Sequence, residues 1–342
     1  MVKKDMVSIK KTFKVFTILL LLSLLCIVGC DQGGENLVET SNTQQSINRS
    51  ITPVSLFNSS ASLNWTMINV GFGDAHLIQI KDGKTILIDT GLVSNAQSYL
   101  IPYIGVIPIN KIDYVFITHP HSDHYEGLTA LISSNISIGA VYFNVPTDDR
   151  CEAESWGCNA QDIADIIKLL EEKNVPLNKA EAGMSFDIGD DSSLDILYAF
   201  NVTNSPVGSI DLNDESLVTL VRHKNHRFLL TGDLNSKIGT YLAANGQDLQ
   251  ADVLKFPHHG TAGIAPNSFF DKINPQYVII TSPSDLWCSD RSTQARSWLK
   301  EKNIPAYITG FHGNVNIGVV NDKLTFATQY DYQTTNLCNE TK

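Results

Sequence analysis

An apolar strand that runs straight into a crowd of metal-type ligands constrains this chain more than any other feature. Residues 114–118 read YVFIT, and the next nine read HPHSDHYEG, so His119, His121, Asp123 and His124 fall within six positions. The chain has only nine histidines in 342 residues, and three of them sit here. Neutral imidazole and carboxylate are ligands of choice for Zn²⁺, Mn²⁺ or Fe²⁺. In an extended or loosely turned segment positions 119 and 121 point the same way, and Asp123 with His124 follows one turn later, within reach of a second ion. Two ions roughly 3.5–4 Å apart form the usual clamp of hydrolytic sites, which makes water nucleophilic near neutral pH. A lone buried histidine is more often a hydrogen-bonded core residue than a ligand. Four ligand-type residues at one strand end do not fit that reading.

The rest of the chain supplies strands to build around this end. LNWTMINV (63–70), AHLIQI (75–80) and TILIDTG (85–91) are short β-rich runs divided by Gly and Asp turns, which predicts a meander. SLVTLVRH, RFLLTGD, DVLKFPHHG and YVIITS are further strands that end in polar or Gly-rich turns, and VNIGVV with LTFAT predicts a closing hairpin across Asn321 and Asp322. DIADIIKLLEEK places Ile163, Ile166, Ile167 and Leu170 on one face, the pattern of an amphipathic helix. RSTQARSWLKEKN also reads as helical. Composition does not break between 62 and 330, so one α/β domain of two packed sheets with outer helices is expected there, followed by a tail over 331–342.

The N-terminus sets the compartment. Lys3, Lys4, Lys10, Lys11 and Lys14 precede an apolar run from Val15 to Gly29 that is shorter than the roughly 20 residues of a spanning helix, so residues 1–29 read as an export signal. The junction CIVGC resembles a bacterial lipoprotein processing site, which implies cleavage before Cys30 and lipid on its thiol. Residues 30–61, rich in Ser, Asn, Gln and Gly, then read as a flexible tether. The expected location is the cell membrane, lipid-anchored and facing the periplasm or the cell exterior. Cys151, Cys158, Cys288 and Cys338 remain, an even number suited to two disulfides in an oxidising compartment. Three pairings are open, and the short separation of Cys151 and Cys158 favours a loop clasp. The leader holds five Lys and one Asp, so its loss takes the formal net charge from −11 to −15. Such acidity disfavours a surface that holds a polyanion.

The cluster, its strand and Gly127 together resemble the signature of the metallo-β-lactamase superfamily. The wording V-G-x-G-D-A (70–75), L-I-D-T-G (87–91), L-T-G-D (230–233) and H-H-G (258–260) is most similar to the hydrolase domain of ComEC-type competence proteins. The resemblance covers about 64–320. It implies an αββα sandwich of two mixed β-sheets flanked by helices, with two divalent ions, Zn or Mn, at one sheet edge. Carried over residue by residue, His119 and His121 would hold the first ion, Asp123, His124 and His258 the second, and Asp233 would bridge them. Asp89 is expected to orient a ligand imidazole; Asp74 would act likewise, touch substrate or only complete a turn.

One departure matters. Most of the superfamily places another histidine between the cluster and the bridging Asp, where this chain reads SIDLNDESLVTLVRHKNH. His223 and His226 flank a hairpin turn and are expected to be exposed, and Asn213 with Ser216 fits the N-x-x-S segment of the ComEC-like subgroup. The first site is therefore expected to be weak or variably occupied. His259 would complete it, contact substrate or donate a proton to the leaving group, and Asp123 would also orient the attacking water. His312 is expected in an exposed loop. A tyrosine-glycine-histidine-proline stretch typical of competence domains is missing near TSPSDLWCSDRS (281–292).

Three functions follow. The first is hydrolysis of phosphoesters at the envelope, in a nuclease form that the acidity disfavours or on a smaller or zwitterionic phosphoester, where Trp156 and Trp287 could offer π faces to a cation. The second is hydrolysis of a lactam, lactone or thioester, and the third is a non-catalytic metal-binding surface lipoprotein.

Overall fold

A computed structural model of the chain describes residues 55–154, 157–201, 205–335 and 337–339. The expected leader, Cys30, most of the tether and Trp156 lie outside the described residues.

The strands are β1 (Leu63–Met67), β2 (His76–Ile80), β3 (Thr85–Ile88), β4 (Lys111–Ile117), β5 (Ser137–Phe143) and β6 (Leu177–Asn178), then β7 (Ser185–Gly189), β8 (Ser192–Tyr198), β9 (Val218–His223) and β10 (His226–Leu230). They continue as β11 (Val253–Lys255), β12 (Tyr277–Ile280), β13 (Ala306–Ile308), β14 (Val315–Val320) and β15 (Lys323–Thr328). One sheet has the order β15-β14-β1-β2-β3-β4-β5-β6 and the other β13-β12-β11-β10-β9-β8-β7. Both are mixed. The meander β1-β2-β3 is antiparallel and β3-β4-β5-β6 parallel, while β8-β9-β10 is antiparallel and β10-β11-β12-β13 parallel. Parallel neighbours need crossover connections, and these carry the helices.

Strand periodicity sorts the side chains into three apolar layers. Phe116 of β4 and Phe228 and Leu230 of β10 point between the sheets, where Phe228 meets Trp65 edge to face with ring centroids 5.8 Å apart. Val115 and Ile117 face the other way, against Leu128, Leu131, Ile163, Ile166 and Leu170 of the outer helices. Leu229 and Leu254 face helices that contribute Ile238, Leu242, Phe269 and Trp298. The result is the expected αββα sandwich. Helix Ala160–Glu172 starts where Asn159 accepts hydrogen bonds from the amides of Gln161 and Asp162, and it buries Ile163, Ile166 and Leu170. The β14–β15 hairpin turns at Asn321 and Asp322, both with positive φ, as its two-residue loop requires.

Cys151 pairs with Cys158 and Cys288 with Cys338. The second bond changes the view of the C-terminus, because residues 331–335 and 337–339 are no loose tail. Leu337 is buried in the helical layer over the second sheet, and Thr334 accepts a hydrogen bond from the Ala306 amide. Likewise the end of the expected tether packs on the domain: Asn58 exchanges hydrogen bonds with Asn64, and Ala61 is buried.

Two histidines expected at the surface are buried. His223 closes β9 between the sheets, where Ser62 Oγ lies 2.7 Å from its Nε2 and Ser192 Oγ 2.6 Å from its Nδ1. With both ring nitrogens satisfied by hydroxyls, a neutral imidazole is tolerated there. His226 is half-buried. His312 is buried in the turn after β13, its Nδ1 within hydrogen-bond distance of the Ile308 backbone, so it braces that turn.

Candidate metal centre

The topology delivers the chemistry-bearing segments to one edge. The C-terminal ends of the parallel strands β3, β4, β10, β11 and β12 lead into Asp89, His119, Asp233, the 258–259 pair and Thr281.

At the end of β4 the chain is clamped to Asp89, which has φ +60 at the end of β3. The Thr118 amide and hydroxyl donate to its two carboxylate oxygens at 2.7 and 2.8 Å. His119 follows, with its Nδ1 3.0 Å from Thr118 Oγ1 and its Nε2 3.1 Å from Nδ1 of His121. A single turn, Ser122–Tyr125, then carries Asp123 and His124. His124 is fully buried; its Nδ1 lies 2.9 Å from Asp89 Oδ2 and its Nε2 3.2 Å from Asp233 Oδ2. The loop before β2 presses on this turn. A Cβ at Gly73, which has φ +96, would lie 2.0 Å from the Asp123 carbonyl oxygen, so only glycine admits the approach.

Asp233 follows β10, and its amide donates to Ser216 Oγ at 2.9 Å. The loop after β11 places two consecutive residues in the left-handed region, His258 at φ 48 and His259 at φ 53. Such conformations cost about 1–3 kcal/mol each for non-glycine residues and persist where the surroundings over-determine them. They splay the two rings, whose centroids lie 6.2 Å apart. His259 Nε2 reaches to 3.2 Å from Asp233 Oδ2 and 3.4 Å from Asp123 Oδ2, while its Nδ1 donates to the Thr281 carbonyl at 2.8 Å. His258 turns away to Asn235, with Nδ1 3.0 Å from Oδ1, and its Nε2 lies 3.5 Å from Asn213 Nδ2.

This reverses the expected roles of the pair. His259, not His258, joins Asp123 and His124, and His258 lies beside Asn213, close enough to His119 and His121 to disfavour charge on both. The left-handed turn is the reason, and it places His259 among carboxylates.

Two triads have ligand atoms within 4.8 Å of one another: His119, His124 and Asp233, and Asp123, His124 and His259. They share His124 and meet across Asp233. His124 Nε2, His259 Nε2 and Asn213 Oδ1 are buried with no hydrogen-bond partner among the described residues. Buried polar atoms are rarely left so, and imidazole nitrogens aimed at shared carboxylates fit a divalent cation. A third grouping, Asp74, Asp89 and His124, is a support, because Asp74 is tied to Lys255 and Asp89 to Thr118.

Charge divides the centre. Burial opposes ionisation of His124 and His259, yet the surrounding carboxylates lift His124 well above the usual histidine range and push His259 up to about 10, Asp233 contributing most. Burial and the neighbouring imidazoles hold His119 well below that range, and burial with His124 lowers His121 to about 4.

Lys255, unremarked in the sequence inside VLKFPHHG, is the main addition. It is fully buried. Its ammonium contacts Asp74, donates to the Gly232 carbonyl at 2.9 Å and lies 3.5 Å from Asp233 Oδ1. Asp74, 1% exposed, also accepts from the Thr281 hydroxyl, so it neither faces substrate nor merely completes a turn. The only signal available was a lysine inside an apolar strand. Glu154 was also missed; its Oε2 lies 3.8 Å from His121 Nε2. Trp287 is buried under the 258–260 loop, where a Cβ on Gly260 would strike its ring, so it offers no open π face.

Comparison with known proteins finds partial similarities. The family model of the metallo-beta-lactamase superfamily matches residues 68–136, which include the histidine cluster. Competence protein ComA of Neisseria gonorrhoeae is 24% identical over 226 residues, 64% of this chain and 26% of that protein. ComE operon protein 3 of Bacillus subtilis (strain 168) is 21% identical over 292 residues, 79% of this chain and 35% of that protein. The chain thus spans about a quarter to a third of the length of these curated relatives. Among solved structures, the metallo-beta-lactamase fold protein YhfI from Bacillus subtilis aligns with a TM-score of 0.45 at 14% identity, over 72% of this chain and 96% of that one. The chain is thus similar to the metallo-beta-lactamase superfamily over residues 68–136 and, at modest identity, to part of two competence proteins.

Proposed function

We propose that this metallo-β-lactamase-fold chain is an exported, membrane-anchored hydrolase of phosphoesters that works with two divalent ions, Zn or Mn. One observation carries the reading: Asp123, His124, Asp233 and His259 converge with two imidazole nitrogens buried and unsatisfied. His119 and His121 stand on the other side of Asp233, with His258 and Asn213 beside them. Bound ions would supply Lewis-acid charge at the substrate oxygen and acidify a water for attack.

The chain's own residues have distinct tasks. Asp89 holds the proton on His124 Nδ1, so that Nε2 faces the centre; the Thr281 carbonyl does the same for His259. Lys255 engages Asp233 Oδ1 and leaves Oδ2 to the imidazoles. Asp123 is the most exposed carboxylate of the group, its side chain 25% accessible, and so it is the one to orient water and take its proton.

The formal charge of −15 after loss of the leader favours a small phosphoester over a long polyanion. Two disulfides support an oxidising compartment. Among the described residues no helix is long and apolar enough to cross a membrane, and the proposed anchor is lipid on Cys30, joined to the domain by the tether. Incubation with Mn²⁺ or Zn²⁺ and a chromogenic phosphodiester, single-stranded DNA or a chromogenic β-lactam tests the reading. Turnover of the lactam alone, or of none, overturns it. Cys30→Ala should release the protein from the membrane fraction.

A further inference from the structure

We infer that a small polar cleft on the same sheet edge is a substrate subsite for an uncharged ring rich in hydrogen-bond acceptors, the chemistry shared by a pyranose sugar and a nucleoside. The inference rests on the phosphoester reading and names what the phosphoester carries.

Strand direction places the cleft. In the antiparallel run β3-β2-β1-β14-β15, the end of β3 at Asp89, the start of β2, the end of β1, the start of β14 and the end of β15 share one edge. A cleft of about 280 Å³ opens there, lined by Asn69, Gly71, Tyr99, Asn314, Gln329 and Tyr330 among others. The loop that supplies Asn69 and Gly71 continues through Phe72 to Gly73, which lies against the Asp123 backbone. Cleft and metal centre are therefore two faces of one short loop.

Its chemistry is specific. The Asn69 carboxamide oxygen accepts from the Gly71 amide at 3.1 Å, that of Asn314 from the Asn69 amide at 2.8 Å, and that of Gln329 from the Asn314 amide at 3.2 Å. Each oxygen is committed to the backbone, so each side chain is fixed in orientation and turns its NH₂ group outward. Those NH₂ groups have no hydrogen-bond partner among the described residues. Three oriented donors beside tyrosine walls, with no charged residue in the lining, suit a neutral ring bearing several acceptors. Phe72, 49% exposed in the same loop, offers an apolar face beside the lining residue Gly71.

Asn314→Asp and Gln329→Glu test this without altering shape, because each keeps the oxygen that holds the backbone and replaces only the outward NH₂ by a carboxylate oxygen. Binding of a methyl pyranoside and of a nucleoside to the full chain is followed by NMR line broadening, independently of catalysis. Hydrolysis of a phosphodiester that carries the bound ring is compared with that of methyl p-nitrophenyl phosphate. The expected result is that one ring binds, that the double variant weakens it at least about tenfold and raises KM for the ring-bearing ester by a similar factor with kcat unchanged, and that the simple ester is unaffected. Binding of neither ring, or equal binding by wild type and variant, overturns the subsite. Ring binding without turnover of any phosphodiester would retain the subsite and discard the phosphoester reading.

Discussion

The two sides of the metal centre are built to different standards. On the side of Asp123, His124 and His259, each imidazole is held from behind, by Asp89 and by the Thr281 carbonyl, and the carboxylates of Asp74 and Asp233 are tied to the buried Lys255. On the side of His119 and His121, the ring nitrogens face each other at 3.1 Å, the nearby carboxylate is the part-exposed Glu154, and Asn213 stands beside His258. The first side is rich in carboxylate; the second is mostly imidazole, whose protonation burial disfavours. The difference teaches that the contacts behind the candidate ligands distinguish the two sides as much as the ligands themselves do.

Four experiments break or sharpen this contrast. Asp233→Asn removes the group common to both sides. It should abolish tight divalent binding in elemental analysis and lower kcat/KM by at least about a thousandfold, some 4 kcal/mol of transition-state stabilisation; retention of two ions would show that the sides are independent. Lys255→Met leaves Asp74 buried without its cation and should cost about 3–5 kcal/mol in urea unfolding. The double variant Lys255→Met with Asp74→Asn should recover most of that loss, and failure to do so would mean that Lys255 acts through packing. Asp89→Asn should weaken ion binding on the His124 side about 10–100-fold by calorimetry, with the His119 side little changed. The smallest effects are expected from His258→Asn and His259→Asn, chosen because Asn tolerates positive φ. About tenfold weaker binding is expected in each, on the His119 side for the first and the His124 side for the second. The reverse assignment would show that the left-handed turn opens when ions bind.

Much of this was legible in the chain and some was not, for identifiable reasons. The crowding of His119, His121, Asp123 and His124 is a local pattern, and so are the continuous apolar run of β4 and the helical face of Ile163, Ile166 and Leu170. Local patterns survive in one dimension. The pairing of Cys288 with Cys338 followed only from the favoured clasp of Cys151 with Cys158, because their own separation of 50 residues carries no signal. His223 and His312 look like turn histidines until Ser62 and Ser192 arrive from distant strands, or until the backbone after β13 folds onto the ring. Lys255 reads as an exposed lysine at a strand edge because its two carboxylates come from 181 and 22 residues away.

By itself, the sequence determined the strand-end cluster and a domain of two packed sheets with outer helices, because residue type and short-range periodicity encode these directly; the αββα class came from the resemblance to the metallo-β-lactamase superfamily. Tertiary structure decided which of His258 and His259 faces Asp123, why a lysine is buried at the centre, and that a donor-lined cleft shares the edge. Each of these depends on backbone turns and on partners far apart in the chain, whose meeting only the packed sheets bring about.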